Sequence, residues 1–165
     1  MPNWCYSTLE ITGPKDEIKS IADTKIDFEK ILPTPADLIP DTYDAFGMTE
    51  FQNQSNQAIY GCESWYEWHI QNWGTKWCAK ITHMEQSDST IRAEMQTAWS
   101  LPLELLKKLS VENSNTTIHV VDCEEESGSF VGDCKIFNGE IIEDSIHEPT
   151  KAELSERGLI CGEVE

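Results

Sequence analysis

An α+β fold with its elements in the order βαββαβ is predicted for this chain by three features. Period-2 alternation of apolar and polar residues runs through residues 77–83 and again through 91–99. Short apolar stripes of helical spacing lie before and after that pair of strands. Asn138-Gly139, the strongest short hairpin-turn dipeptide, sits between two further strand-like runs.

The first strand is expected over residues 3–12, with Cys5, Ser7, Leu9 and Ile11 on one face and Trp4, Tyr6 and Thr8 on the other. Gly13-Pro14 ends it. Pro14 suits a first helical turn, Asp16 and Glu17 complement the helix dipole, and Ile18, Ile21 and Ala22 give the stripe. Residues 28–62 break the pattern, since Pro33, Pro35 and Pro40 are followed by a polar run over 52–57. That stretch is predicted to be an insertion or long loop over the core. Ser64 and Glu67 fit a capping box, so a helix is expected over 64–73, with Gly74 as its left-handed stop.

Trp77, Ala79, Ile81 and His83 then share one strand face, and Ile91, Ala93, Met95, Thr97 and Trp99 share that of its antiparallel partner. Ser100 is expected to cap the next helix, with Pro102 in its first turn and Leu101, Leu105, Leu106 and Leu109 inward. A strand over 116–123, a hairpin of 130–136 with 140–146, and a short helix over 151–157 follow. Without the insertion and the appended hairpin, a split βαβ pair remains, which is the ferredoxin-like arrangement. The expected organisation is one ferredoxin-like domain over residues 1–147 and an acidic C-terminal tail over 148–165.

Thirty acidic residues face twelve basic ones, a net charge of −18. Nucleic-acid affinity rests largely on Lys and Arg neutralising phosphates, so direct binding to DNA, RNA or an anionic membrane is disfavoured and a basic partner is favoured. The amino terminus has no basic region followed by an apolar stretch, and no apolar run reaches eighteen residues, so a cytoplasmic protein is expected. In that compartment the six cysteines read as free thiols.

No catalytic residue is assigned, because the sequence has no Gly-rich phosphate loop, no GxSxG elbow and no CxxC pair. No cofactor and no metal are expected. Cys123 and Cys134, with His119 on the face of Cys123, are the one conceivable zinc cluster, and Cys78 and His83 cannot share a strand face. The feature that stands out is aromatic: Trp65, Tyr66, Trp68, Trp73 and Trp77 fall within thirteen residues. Trp65, Trp68, Trp73, Lys76 and Trp77 form the candidate pocket, weighed against plain core packing.

Met1-Pro2-Asn3-Trp4-Cys5, Thr12-Gly13-Pro14, Leu32-Pro33-Thr34-Pro35 and above all Asn72-Trp73-Gly74-Thr75-Lys76-Trp77 carry a resemblance. Together they are similar to the YubB ferredoxin-like family, carried mainly by bacteriophages and plasmids, over about residues 1–125. The resemblance implies a sheet with helices on one face and a mobile-element origin, and it implies no activity. Cys78 stands where it would lead one to expect Asp or Asn.

Two functions follow. The first is an acidic binding protein that inhibits a basic, nucleic-acid-binding host protein by charge mimicry, for instance a restriction or CRISPR nuclease. Duplex DNA carries a charge every ~1.7 Å, so eighteen net charges match about 30 Å of duplex. Residues 122–165 hold thirteen acids against Lys135, Lys151 and Arg157, a local balance of −10. Glu124, Glu125, Glu126, Glu140, Glu143 and Asp144 are the expected partner contacts. The alternative is a small-molecule or nucleotide binder using the Trp-rich pocket, or a structural phage protein.

Overall fold

β1 (Trp4–Thr12) leads into α1 (Lys15–Thr24) in the computed structural model, which describes residues 3–39 and 50–159. Pro14 stands at the N-cap, Asp16 and Glu17 occupy the first turn, and Ile18, Ile21 and Ala22 are the buried stripe. β2 (Lys80–Gln86), β3 (Thr90–Ala98), α5 (Leu103–Glu112) and β4 (Thr117–Glu125) complete the βαββαβ unit. β5 (Val131–Phe137), β6 (Glu140–Asp144) and α6 (Lys151–Arg157) follow. The six strands form one antiparallel sheet in the order β2-β3-β1-β4-β5-β6. The first four places are the ferredoxin-like order, and the appended hairpin widens the sheet beyond β4.

One face of the sheet is covered. Leu9 and Ile11 from β1, Ile91, Ala93 and Met95 from β3, and Ile118 and Val120 from β4 are buried in one cluster with Ile18 and Ile21 of α1 and Leu105, Leu106 and Leu109 of α5. The other face carries the alternate residues. Glu85, Arg92, Glu10, His119, Lys135 and Glu143 are successive register partners across all six strands. Arg92 pairs with Glu10 and Lys135 with Glu143, the latter at 2.6 Å. Exposed pairs of this kind contribute under about 1 kcal/mol each, so the row sets register and solubility more than stability.

Several expectations are corrected. β2 begins at Lys80, not Trp77, and a bulge between Ile81 and His83 moves the inward position on to Met84. His83 is therefore exposed and bonds Glu85 at 3.1 Å. A second irregularity, between Val120 and Cys123 with Asp122 at φ +51°, turns Cys123 to the covered face while His119 stays on the open one. α5 starts at Leu103 with Pro102 as N-cap, and Ser100 Oγ instead donates to the Gly74 carbonyl at 2.5 Å.

The region expected as an insertion does interrupt the βαββαβ order, but as more than a loop. It contains α2 (Phe28–Ile31), a 3₁₀ turn (Ala36–Leu38) and α3 (Glu50–Tyr60); residues 40–49 lie outside the described residues. α3 covers the polar run read as irregular. Its inward anchor is polar, Asn56, whose Nδ2 donates to the Glu63 carbonyl at 3.2 Å, so no apolar stripe marks it. The short helix expected over 151–157, within the segment read as an acidic tail, is α6, held by a Thr150–Glu153 capping box. Arg157 ties that helix to β4 through Asp122 at 2.6 Å and Glu124 at 2.9 Å. Among the described residues, no helix is long and apolar enough to cross a membrane.

Candidate functional site

α4 (Trp65–Asn72) begins at Ser64, whose hydroxyl accepts from the Glu67 N–H at 3.4 Å. The Glu67 carboxylate reaches back one residue beyond the expected cap, to the Glu63 N–H at 2.7 Å. Gly74 ends the helix at φ +84°, its N–H donating to the His69 and Ile70 carbonyls. The Trp-Gly-Thr-Lys-Trp run then turns the chain toward β2. Thr75 is buried and its hydroxyl donates to the Ala98 carbonyl at 2.8 Å, which ties the turn to the end of β3.

This corner divides the five candidate pocket residues into two groups. Trp73 is 1% exposed; its Nε1–H donates to the Leu32 carbonyl at 3.0 Å and its ring meets Phe28, Trp68 and His69. Trp68 is buried beside it, and Trp65 is half-buried, its ring in a T-shaped contact with that of His69 at 5.1 Å between centroids. These three tryptophans wedge the insertion against the core, because each covers a large apolar area at once. Lys76 and Trp77 lie outside that wedge.

Lys76 and Trp77 meet two residues outside the candidate pocket: Tyr66, from the same aromatic run, and Trp99, which sequence spacing did not bring to them. Trp77 stacks on Trp99 with ring centroids 5.9 Å apart and planes 27° from parallel. Lys76 Nζ lies 4.7 Å from the Trp77 centroid, 5.0 Å from that of Trp99 and 5.3 Å from that of Tyr66. Tyr66, Trp77 and Trp99 are 41%, 39% and 41% exposed. Tyr66 comes from α4, Trp77 from the turn and Trp99 from the end of β3, so the cluster is tertiary. Trp99 stands at φ +65°, and its N–H donates to the Asn3 carbonyl at 2.8 Å. A tryptophan in the left-handed region is uncommon. No local pattern in the sequence announces it.

The six expected partner contacts fall into different settings. Glu125 is 2% exposed, and one of its oxygens accepts from the N–H and hydroxyl groups of both Ser127 and Ser129. Burial pushes its pKa up, but those donors outweigh it and hold the carboxyl below its usual range. Glu125 is thus an internal group tying the β4–β5 turn. Glu124 accepts from Arg157, Glu143 pairs with Lys135, and Asp144 caps the Ile146 N–H at 2.9 Å. Glu126 and Glu140 are exposed.

The conceivable zinc cluster does not assemble, because His119 and Cys123 lie on opposite faces of the sheet. Among the described residues no three His, Cys, Asp or Glu side chains are placed to hold a metal ion. Burial pushes Cys123 up to about 12 and Cys134 up to about 11, so both thiols stay protonated. The five described cysteines are all free. A cavity of about 720 Å³ runs between the end of α1 and β2, lined by Lys25, Asp27, Cys78, Ile81, His83 and Met84 among others.

With this geometry, the chain can be set beside known proteins. A family model described as a ferredoxin-like domain in Api92-like protein matches residues 72–159. The match runs through the appended hairpin and α6, beyond the point near residue 125 where sequence resemblance was expected to end. A crystal structure of protein api92 from Yersinia pseudotuberculosis is similar with a TM-score of 0.54 at 10% identity, covering 91% of this chain and 99% of that one. Likeness at that identity shows the fold alone. No curated protein matches the chain.

Proposed function

The chain belongs to the Api92-like ferredoxin-like family, and from that premise we propose that it acts by binding a basic protein partner. One observation carries the reading: residues 122–165 have a balance of −10, and two of their three cations are already spent. Lys135 is paired with Glu143, and Arg157 with Asp122 and Glu124. The exposed carboxylates of Glu126, Glu140, Glu148 and Glu156 are left to shape the field around that unit.

The finer form of the proposal takes its partner from charge and from the sequence resemblance to the phage- and plasmid-borne YubB family. A mobile-element protein with this charge suits a decoy for duplex DNA, inhibiting a nucleic-acid-binding defence nuclease, of restriction or CRISPR type, in the bacterial cytoplasm. The test is a competition. A purified basic nuclease is titrated with the protein in the presence of duplex DNA, at low and at high salt. The expected result is mutually exclusive binding, with affinity falling steeply as salt screens charges beyond about 10 Å at 0.1 M. A ternary complex with DNA, or binding indifferent to salt, overturns the decoy.

A further inference from the structure

Three aromatic rings from three separate elements converge on one ammonium group. Lys76 Nζ lies within 4.7–5.3 Å of the Tyr66, Trp77 and Trp99 centroids, inside the ~6 Å reach of cation–π attraction. A lysine that only needed solvent would snorkel outward on its flexible stem. Each ring nevertheless keeps about 40% of its surface exposed, so the cluster opens to solvent and to an approaching molecule. Trp99 reaches its place through a left-handed backbone, which costs a non-glycine residue about 1–2 kcal/mol. Glycine or asparagine would turn the chain there with less strain. Backbone outliers of this kind cluster at ligand clamps and other functional sites.

We propose that Tyr66, Trp77 and Trp99 form an aromatic cage for a lysine side chain of a basic partner, and that Lys76 fills the cage until that side chain displaces it. The inference rests on the reading that the partner is basic. The protein's net charge of −18 favours a cationic side chain at this surface and opposes an anionic ligand. The cage demonstrably accommodates a lysine ammonium, because it holds one. Displacement is cheap, since Lys76 has no carboxylate partner among the described residues and its amine swings into water on rotatable bonds.

The test uses the full-length chain and tetramethylammonium as probe, followed through the indole N–H signals of Trp77 and Trp99 and by calorimetry. Lys76→Ala is expected to bind the probe about fivefold more tightly than the unaltered protein, the factor that corresponds to one exposed cation–π contact. Adding Trp99→Ala to Lys76→Ala is expected to abolish that binding. Tert-butanol, a neutral molecule of similar shape, is expected to give no saturable shift. An oligolysine peptide should bind the unaltered protein and lose affinity on Trp99→Ala. Absence of saturable tetramethylammonium binding by folded Lys76→Ala overturns the cage, as does equal binding of tert-butanol. Either failure leaves the charge-driven reading standing. Conversely, a salt-independent partner complex beside a working cage removes that reading and keeps the cage.

Discussion

The His69 imidazole lies face to face on the Trp73 indole, with ring centroids 3.7 Å apart and planes 17° from parallel. Nδ1 is 2.7 Å from the Lys76 carbonyl and must donate to it, while Nε2 lies 2.8 Å from the Thr34 hydroxyl. Thr34 has one hydroxyl proton, shared between that nitrogen and the Glu29 carboxylate 2.6 Å away. Burial holds the His69 pKa below its ordinary value, ahead of the opposing pull from the Lys76 carbonyl and Glu29. The unfolded chain therefore takes a proton before the folded one does. Stability is lost as pH falls below about 6.5.

His147 pulls the other way. Its ring donates to the Ser145 carbonyl at 2.7 Å and faces Glu153 at 3.1 Å, which raise its pKa. Its contribution is fully present below about 6.5 and is lost as pH rises through the raised value. Thermal melts between pH 7 and 5 should thus separate the two. Relative to the unaltered protein, His69→Gln should flatten the acid-side loss and His147→Ala should steepen it.

Gly74 should resist substitution. At φ +84° an added Cβ would sit 3.1 Å from the Leu101 carbonyl oxygen and 3.2 Å from the Leu103 nitrogen, both backbone. Left-handed strain alone costs about 1–2 kcal/mol. Gly74→Ala should lower the urea midpoint by at least that much with the m-value unchanged.

The tryptophans of one motif should part company. Trp73→Ala removes a buried ring and its hydrogen bond to Leu32, a loss of about 3–5 kcal/mol. Trp77→Ala removes a ring that is 39% exposed and should cost under about 1 kcal/mol. Denaturant unfolding of both variants checks the contrast; equal losses would mean that Trp77 belongs to the core.

Thiol chemistry gives another reading of burial. Cys5, Cys62, Cys123 and Cys134 are buried, whereas Cys78 is exposed and its sulfur accepts from the Phe28 N–H at 3.3 Å. Among the described cysteines, Cys78 should react first with a thiol reagent in the native protein. Cys78→Ser should remove the fast reaction at that position while leaving the slow, unfolding-limited reaction of the four buried thiols.

Most of the sheet was legible in the sequence because its covered strands alternate cleanly. Ile91, Ala93, Met95 and Thr97 are buried in β3 as their spacing requires, and Asn138 and Gly139 both adopt the positive φ of a tight hairpin turn. Bulges were not legible. One extra residue near Thr82 and another near Asp122 exchanged faces for His83 and Cys123, and a strict period of two has no way to signal them. α3 was missed because its inward contact is an asparagine. The Lys76 cluster was half-read: Lys76 and Trp77 are neighbours in sequence, but Tyr66 and Trp99 join them only through the packing of α4 and β3.

The Glu124-Glu125-Glu126 run tests how far charge alone predicts behaviour. Sequence presents three equivalent carboxylates, yet their surroundings differ at every step. Glu125 is inside, opposite Cys5 in the register, with four donors from Ser127 and Ser129 on one oxygen. Its other oxygen has no hydrogen-bond partner among the described residues. Glu125→Gln keeps the shape but loses charge-assisted bonds, and should cost about 1–3 kcal/mol. Glu125→Lys buries an unmatched cation and should cost at least about 3 kcal/mol. Because the Ser127 and Ser129 donors hold the Glu125 pKa below its usual range against the effect of burial, its stabilisation is present at neutral pH. It is lost as pH falls through that lowered value, so Glu125→Gln should also shallow the acid unfolding curve. Glu126 is exposed, and Glu126→Lys should change stability by less than about 0.5 kcal/mol. What Glu126→Lys should change is the encounter with a basic partner, slowing association more than it speeds dissociation. Urea unfolding and stopped-flow binding of the same three variants separate the two roles. A Glu126→Lys protein that unfolds early, or a Glu125→Lys protein as stable as the parent, would show that burial has not sorted these carboxylates.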